Sequence, residues 1–97
     1  MRFVEYHPKT PTEARKLLEH YDSTSLKLGD LFWNELLAAI ERATEDPESH
    51  HFDSTGLRRS NLKRFPVHFL FRVKSDRIRV TVIRHNRRNP QYGSKRK

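Results

Sequence analysis

The sequence contains no cysteine, only three glycines and no long apolar run. Without cysteine it can form no disulfide, offer no thiolate nucleophile and build no cysteine-based zinc site. Its longest unbroken apolar run covers residues 36–40, whereas a membrane-spanning helix needs about 20 such residues. Residues 1–5 (MRFVE) do not open the apolar core of a secretory signal. We therefore expect a cytoplasmic protein with no membrane partner.

Acidic residues are scarce in the second half of the chain. Residues 1–48 carry six basic and ten acidic side chains, a net charge of −4. Residues 49–97 carry 14 basic side chains and only two acidic ones, Asp53 and Asp76, a net charge of +12. Because these basic residues alternate with strand aromatics, they indicate a basic working face, which suits nucleic acid or an acidic protein as partner.

The length of 97 residues fits one domain, since a typical domain has about 100 to 150 residues. Ten aromatic residues and only three glycines are typical of an ordered chain. We expect one domain over residues 1–97, in which residues 86–97 form a basic C-terminal tail.

Two amphipathic helices are predicted in the first half. The first covers residues 10–23, because Thr10 can cap it, Pro11 suits the first helical position and Glu13 can complete a capping box. The second begins between residues 24 and 27 and runs to about residue 45, where an Asp-Pro pair ends it. Their short link predicts an antiparallel helical hairpin.

Apolar residues with a period of two predict strands on either side of this hairpin. The predicted strands cover residues 2–6, 57–65, 67–73 and 78–85. The resulting order is β-α-α-β-β-β, an α+β fold in which the helical hairpin packs on one face of an antiparallel sheet.

Two stretches carry a family resemblance. Residues 58–73 (RRSNLKRFPVHFLFRV) join an Arg-rich strand through Phe-Pro to an alternating apolar strand, and residues 82–92 (VIRHNRRNPQY) end a strand in His followed by Arg and Pro. With residues 28–32 (LGDLF) in the second helix, they resemble the RelE/ParE superfamily of toxins from bacterial type II toxin–antitoxin modules. The resemblance covers about residues 3–92.

This resemblance implies a growth-inhibiting toxin that a cognate acidic antitoxin neutralises. The Phe-Pro and His…Arg-x-Pro signatures look most like the ParE branch, often grouped under plasmid stabilisation, whose target is DNA gyrase. The RelE branch instead consists of ribosome-dependent, metal-free mRNA endonucleases, so whether this protein is an enzyme stays open. A dimer and a heterotetramer with the antitoxin both stay open as assemblies.

The nuclease alternative needs a base, an acid and cations for the phosphorane charge. The pattern of the nuclease branch matches either Lys63 or Arg64, together with Arg72, Arg84, His85 and Tyr92. His85 is the candidate acid or base, because histidine is the side chain most often used for proton transfer in catalysis. Some nucleases of the family use a carboxylate base, which the basic half offers only in Asp53 and Asp76. This shortage favours the non-nuclease branch.

A second group of cations suits contact with an antitoxin or with nucleic acid, namely Arg58, Arg59, Lys63, Arg87 and Arg88. Two readings without toxicity also stay open. One is a plain nucleic-acid-binding module, in which Phe69, Phe71 and Tyr92 stack on bases; the other is an inactive toxin.

Metal and cofactor sites are not expected. Neighbouring histidines, His50 and His51, cannot readily share one ion, and neither a second histidine three to five residues away nor a carboxylate cluster accompanies them. No phosphate loop, nucleophile elbow or dinucleotide fingerprint is present.

Overall fold

The computed structural model describes residues 2–97. Its elements, in chain order, are β1 (Phe3–Tyr6), α1 (Thr10–Asp22), α2 (Leu26–Glu45), a short 3-10 turn (Pro47–Ser49), β2 (Arg58–Asn61), β3 (Val67–Val73) and β4 (Arg77–His85). The predicted α+β fold and its order β-α-α-β-β-β are confirmed. The strand predicted over residues 57–65 is shorter, because the chain turns after Asn61.

The four strands form one sheet in the order β1-β4-β3-β2. β2, β3 and β4 pair antiparallel, as expected, whereas β1 lies parallel to β4 and makes the sheet mixed. A parallel pair needs a long crossover between its strands. Here the crossover consists of the helical hairpin together with β2 and β3, which brings the chain back beside β1 in the same direction.

The two helix starts differ in their capping. At α2 the Ser25 hydroxyl accepts a hydrogen bond from the Leu28 N–H at 3.0 Å, an ordinary side-chain cap. At α1 the predicted capping box is wrong. Thr10 is the first helical residue and donates its hydroxyl to the His7 carbonyl, while Lys9 holds the cap position without a side-chain bond. The Glu13 carboxylate is therefore available for other partners.

The main core lies between the helical hairpin and one face of the sheet. Phe32 and Leu36 of α2 pack there with Phe69 and Phe71 of β3, all of them buried. The rings of Tyr21, Phe32 and Phe65 are in mutual contact, with centroids 4.8 to 5.4 Å apart. The apolar side chains that recur with helical spacing in α2 and with a period of two in β3 thus pack into one apolar layer.

A second, smaller cluster lies on the opposite face of the sheet. The pairing register between β3 and β4 shifts after Leu70, which leaves Thr81 as an extra residue in β4. Leu70 and Val82 form this cluster with Leu57, and Tyr92 of the tail packs against them. The tail therefore lies across the second face of the sheet.

Within residues 2–97, neither helix combines the length and the apolarity that crossing a bilayer requires.

We predict that Gly93→Ala destabilises the fold more than Gly56→Ala. Both glycines have positive φ, +75° and +86°, so either alanine costs about 1–2 kcal/mol of backbone strain. At Gly93 a Cβ would also lie 2.7 Å from Val82 Cγ2 and 2.8 Å from Val82 Cβ, whereas at Gly56 it meets no atom within 4 Å. Urea unfolding should show about 1–3 kcal/mol of additional loss at Gly93. Equal losses would mean that the tail is not packed on Val82.

Candidate functional site

Arg84, predicted as a catalytic cation, lies buried on the tail-covered face, with 4% of its surface exposed. Its Nε donates to His68 Nε2 at 2.9 Å, and its Nη1 donates to the carbonyls of Pro90 and Tyr92 at 3.0 and 2.6 Å. Burial lowers the pKa of the guanidinium. The bond to His68 joins β4 to β3, and the two bonds to the carbonyls fasten the tail to the sheet.

His68, across from Arg84 on β3, was not predicted as a site residue. Its Nδ1 lies 2.7 Å from Asn86 Oδ1, which can only accept, so Nδ1 carries the proton while Nε2 accepts from Arg84. Burial lowers the pKa of His68, and Arg59 and Arg84 lower it further, against the Asn86 hydrogen bond and Asp53, which raise it. His68 is therefore held as the neutral ring.

Glu13 of α1 closes the edge of β4. Since β1 pairs only with the first part of β4, the later part has an open backbone edge. Glu13 Oε1 accepts from the Ile83 N–H at 3.1 Å, and Oε2 accepts from the Tyr92 hydroxyl at 2.6 Å and pairs with Arg96 at 2.7 Å. Arg96 also donates to the Thr81 carbonyl at 3.1 Å. One carboxylate thus joins a helix, a strand edge and the tail.

Tyr92, predicted as catalytic or base-stacking, uses both its hydroxyl and its ring in contacts within the protein. Its hydroxyl donates to Glu13, and its ring packs on the small apolar cluster. The guanidinium carbons of Arg88 and Arg96 lie 3.9 and 5.0 Å from the ring centroid, within cation–π range. The ring therefore anchors the tail.

Arg72, another predicted catalytic cation, holds the end of the tail. Its Nη2 donates to the Arg96 carbonyl at 3.3 Å, and neighbouring Arg79 donates to the Lys97 carbonyl at 3.1 Å. In the register of β3 and β4, Arg72 lies opposite Arg79, and His68 lies opposite Arg84. Arg72 is therefore four residues, or about 13 Å, along β3 from the Arg84 position. The predicted catalytic cations are not brought to one point.

His85 lies half-buried at the end of β4, beside the exposed Arg87 and Arg88. Its Nδ1 accepts a hydrogen bond from the Arg87 backbone N–H at 3.0 Å. In the neutral ring the proton is therefore on Nε2, which has no hydrogen bond within residues 2–97. Among the predicted catalytic residues, His85 alone keeps an uncommitted group able to move a proton.

The remaining predicted cations lie on β2 and the turn after it. Arg58 donates to the His50 carbonyl at 2.8 Å and covers the Phe52 ring. Arg59 pairs with Asp53 at 3.7 Å. Arg64 pairs with Glu35 of α2 through its side chain at 3.8 Å and its backbone N–H at 3.0 Å. Lys63 is exposed.

These positions divide the predicted binding residues into two sets. β2 and β4 both run antiparallel to β3, so their C-terminal ends meet at one end of the sheet. At or beyond that end lie four cations, Lys63, Arg64, Arg87 and Arg88. Two others, Arg58 and Arg59, lie within β2 and are held by the preceding loop.

A carboxylate base for nuclease chemistry does not accompany His85. Glu13 is bonded through both oxygens, and Asp53 bonds to Thr55 and Arg59.

Across the described part of the chain, no group of three His, Cys, Asp or Glu residues is placed to hold a metal ion.

Comparison with solved structures identifies the fold. A chain in a structure described as "Chromosomal ParDE TA system from P. aeruginosa" superimposes with a TM-score of 0.73, over 88% of this chain and 96% of that chain, at 18% sequence identity. No protein-family model and no curated protein sequence matches. The predicted RelE/ParE-like fold is thus confirmed as a fold.

We predict that Glu13→Gln lowers the free energy of unfolding by about 3 kcal/mol, because it leaves the nearly buried Arg96 without its counter-charge. The matched control is Glu19→Gln on the same helix, whose exposed pair with Arg15 should contribute less than about 0.5 kcal/mol. Urea unfolding of both variants measures the difference. Similar losses in the two variants would remove Glu13 as the link between helix, sheet and tail.

We predict that His68 makes the protein less stable in mild acid. Its folded pKa lies below the unfolded value, so the unfolded state binds the proton first and stability falls as the pH drops below about 6.5. His68→Gln can still accept from Arg84 and donate to Asn86 but does not titrate. Between about pH 7.5 and pH 5, the melting temperature should fall less in this variant than in the unsubstituted protein.

The comparison isolates His68 because the other shifted groups remain in both proteins. Burial, with Arg96 and Arg79, also lowers the pKa of His7, which adds the same acid sensitivity to each. Hydrogen bonds from Arg79 and Arg77 lower the pKa of Glu5, which acts at lower pH. If lowering the pH reduced the melting temperatures of the two proteins equally, that result would contradict a neutral, buried His68.

Proposed function

We propose that this protein is the toxin of a type II toxin–antitoxin module, of the ParE type, which acts on DNA gyrase in the cytoplasm. The observation that carries the proposal is the fold match over nearly the whole length of both chains to a structure of a ParDE system. The motifs in residues 58–73 and 82–92 support the same family independently of the fold.

The predicted catalytic side chains are already hydrogen-bonded within the protein, and this favours gyrase over mRNA as the target. Arg84 and Tyr92 hold the tail through partly buried hydrogen bonds, and Arg72 binds a tail carbonyl. A nuclease would have to release these groups before they could contact a phosphodiester. A protein that blocks its target needs only a complementary surface, and the exposed cations at one end of the sheet can supply it.

A cognate acidic antitoxin is the expected partner, and the helical hairpin offers apolar surface for it. An apolar groove between α1, α2 and β4 is lined in part by Ala14, Trp33, Leu37 and Ile83. Leu37 is 47% exposed. We infer that an antitoxin segment with apolar side chains occupies this groove while its carboxylates pair with Lys63, Arg87 and Arg88.

Induced expression in a bacterium tests the proposal. We expect growth arrest with intact transcripts, and we expect the purified protein to inhibit supercoiling by gyrase. His85→Gln should keep full toxicity, since the proposed action uses no proton transfer, and His51→Gln is the matched control for an exposed histidine. Phe32→Ala should abolish arrest, because loss of a buried phenylalanine costs about 3–5 kcal/mol.

Two outcomes would overturn the gyrase proposal. Transcripts cut within codons, with cutting lost in His85→Gln but kept in His51→Gln, would make the protein a ribosome-dependent nuclease. Expression of folded protein without growth arrest would favour the binding module or the inactive toxin.

A further inference from the structure

A cleft of about 430 Å³ opens where the start of α1, the end of β4 and the tail meet. Its lining combines apolar side chains (Pro8, Leu17 and Ile83) with basic ones (Lys9, Lys16 and Arg88). This volume falls in the range of small-molecule sites, about 300–1,000 Å³. The cleft shares Ile83 with the apolar groove between α1, α2 and β4, and the rest of its lining is separate.

Three basic side chains at this cleft have no ion pair within residues 2–97, unlike many others in the chain, while a fourth, Arg84, is bonded to His68 and the tail. Arg59, Arg64 and Arg79, for example, each pair with a carboxylate. Lys9, Lys16 and Arg88 line the cleft, are exposed and have no ion pair within residues 2–97. Three cationic groups thus surround one cleft without protein counter-charges.

Neutral donors accompany these cations. Because His85 Nδ1 accepts from the Arg87 N–H, the neutral ring has its proton on Nε2. Neither that nitrogen nor the Thr12 hydroxyl has a hydrogen bond to any part of the chain that the structure describes. The lining therefore offers five donor groups to one ligand: Lys9, Thr12, Lys16, His85 and Arg88.

Glu13, the carboxylate in the lining, does not neutralise them. Its Oε1 accepts from the Ile83 N–H, and its Oε2 is shared by the Tyr92 hydroxyl and Arg96. Its charge is balanced by Arg96, which does not line the cleft. The electrostatic preference of the cleft is therefore for an anion.

We propose that this cleft binds a phosphate monoester of nucleotide size. Three cations suit a phosphate, which carries about −1.5 to −2 charges and three acceptor oxygens, better than a single carboxylate. Leu17, Ile83 and Pro8 supply apolar contact for a ring beside the charged group. A free nucleotide and the 5′-phosphate end of a nucleic-acid strand present the same chemistry. The proposal does not depend on gyrase as target.

The test is a titration of the purified protein with adenosine 5′-monophosphate. Binding is measured by calorimetry and by the NMR signals of the His85 ring. We expect saturable binding, with affinity reduced about tenfold or more in Lys9→Gln/Lys16→Gln, because charge-assisted hydrogen bonds are lost. The matched control is Lys27→Gln/Arg42→Gln, which removes the same charge from exposed, unpaired positions of α2. It should change affinity less than about twofold.

Further probes separate the sources and can overturn the proposal. Tighter binding of a 5′-phosphorylated oligonucleotide than of the mononucleotide would identify a strand end as ligand, and equal binding would identify a free nucleotide. Both results support the phosphate site. Four results would each refute it. Adenosine could bind as tightly as its monophosphate, or N-acetylglutamate as tightly as either of them. Both double variants could weaken binding equally, or no saturable binding could be found. Unchanged melting temperatures establish that both variants are folded.

Discussion

The rest of the structure depends on one carboxylate. Glu13 neutralises Arg96, orients Tyr92 and supplies the acceptor that the β4 edge lacks after β1 ends. Unpaired backbone groups at a sheet edge are costly when buried and attract foreign strands when exposed. Here a helix side chain occupies that edge, and the same side chain places the tail on the second face of the sheet. Helix position, edge protection and tail position are therefore set together.

The strong positive charge of the second half is largely used within the protein. Glu5 receives Lys74, Arg77 and Arg79, and Arg84 is satisfied by neutral acceptors on His68 and the tail. Among the cations that stay unpaired, Lys63, Arg87 and Arg88 lie at one end of the sheet, and Lys9 and Lys16 line the neighbouring cleft. The net charge of +8 thus describes two local basic surfaces more than a uniformly basic face.

Periodicity and turn signals were enough to predict both helices, β3, β4 and the α+β order, because those patterns are local. The parallel placement of β1 and the roles of Glu13 and His68 depend on contacts more than 15 residues apart, which no local pattern encodes. Glu13 gave a misleading signal, since its position fits a capping box. Arg84 and Tyr92 were predicted as catalytic residues of a nuclease, but the chemistry of arginine and tyrosine suits fastening a tail as well as binding a phosphate. Sequence alone does not distinguish these uses.

The parallel pairing of β1 with β4 also fixes the order in which the chain can fold during synthesis. Phe3 meets Arg77 only after some 74 further residues have been added, which takes about 4–15 s at ordinary translation rates. The helical hairpin, with its local contacts, can form well within that interval. Meanwhile β1 and the apolar side of the helices have no sheet to cover them. A nascent chain is thus accessible to a binding partner, or to aggregation, for seconds before its own last strand arrives.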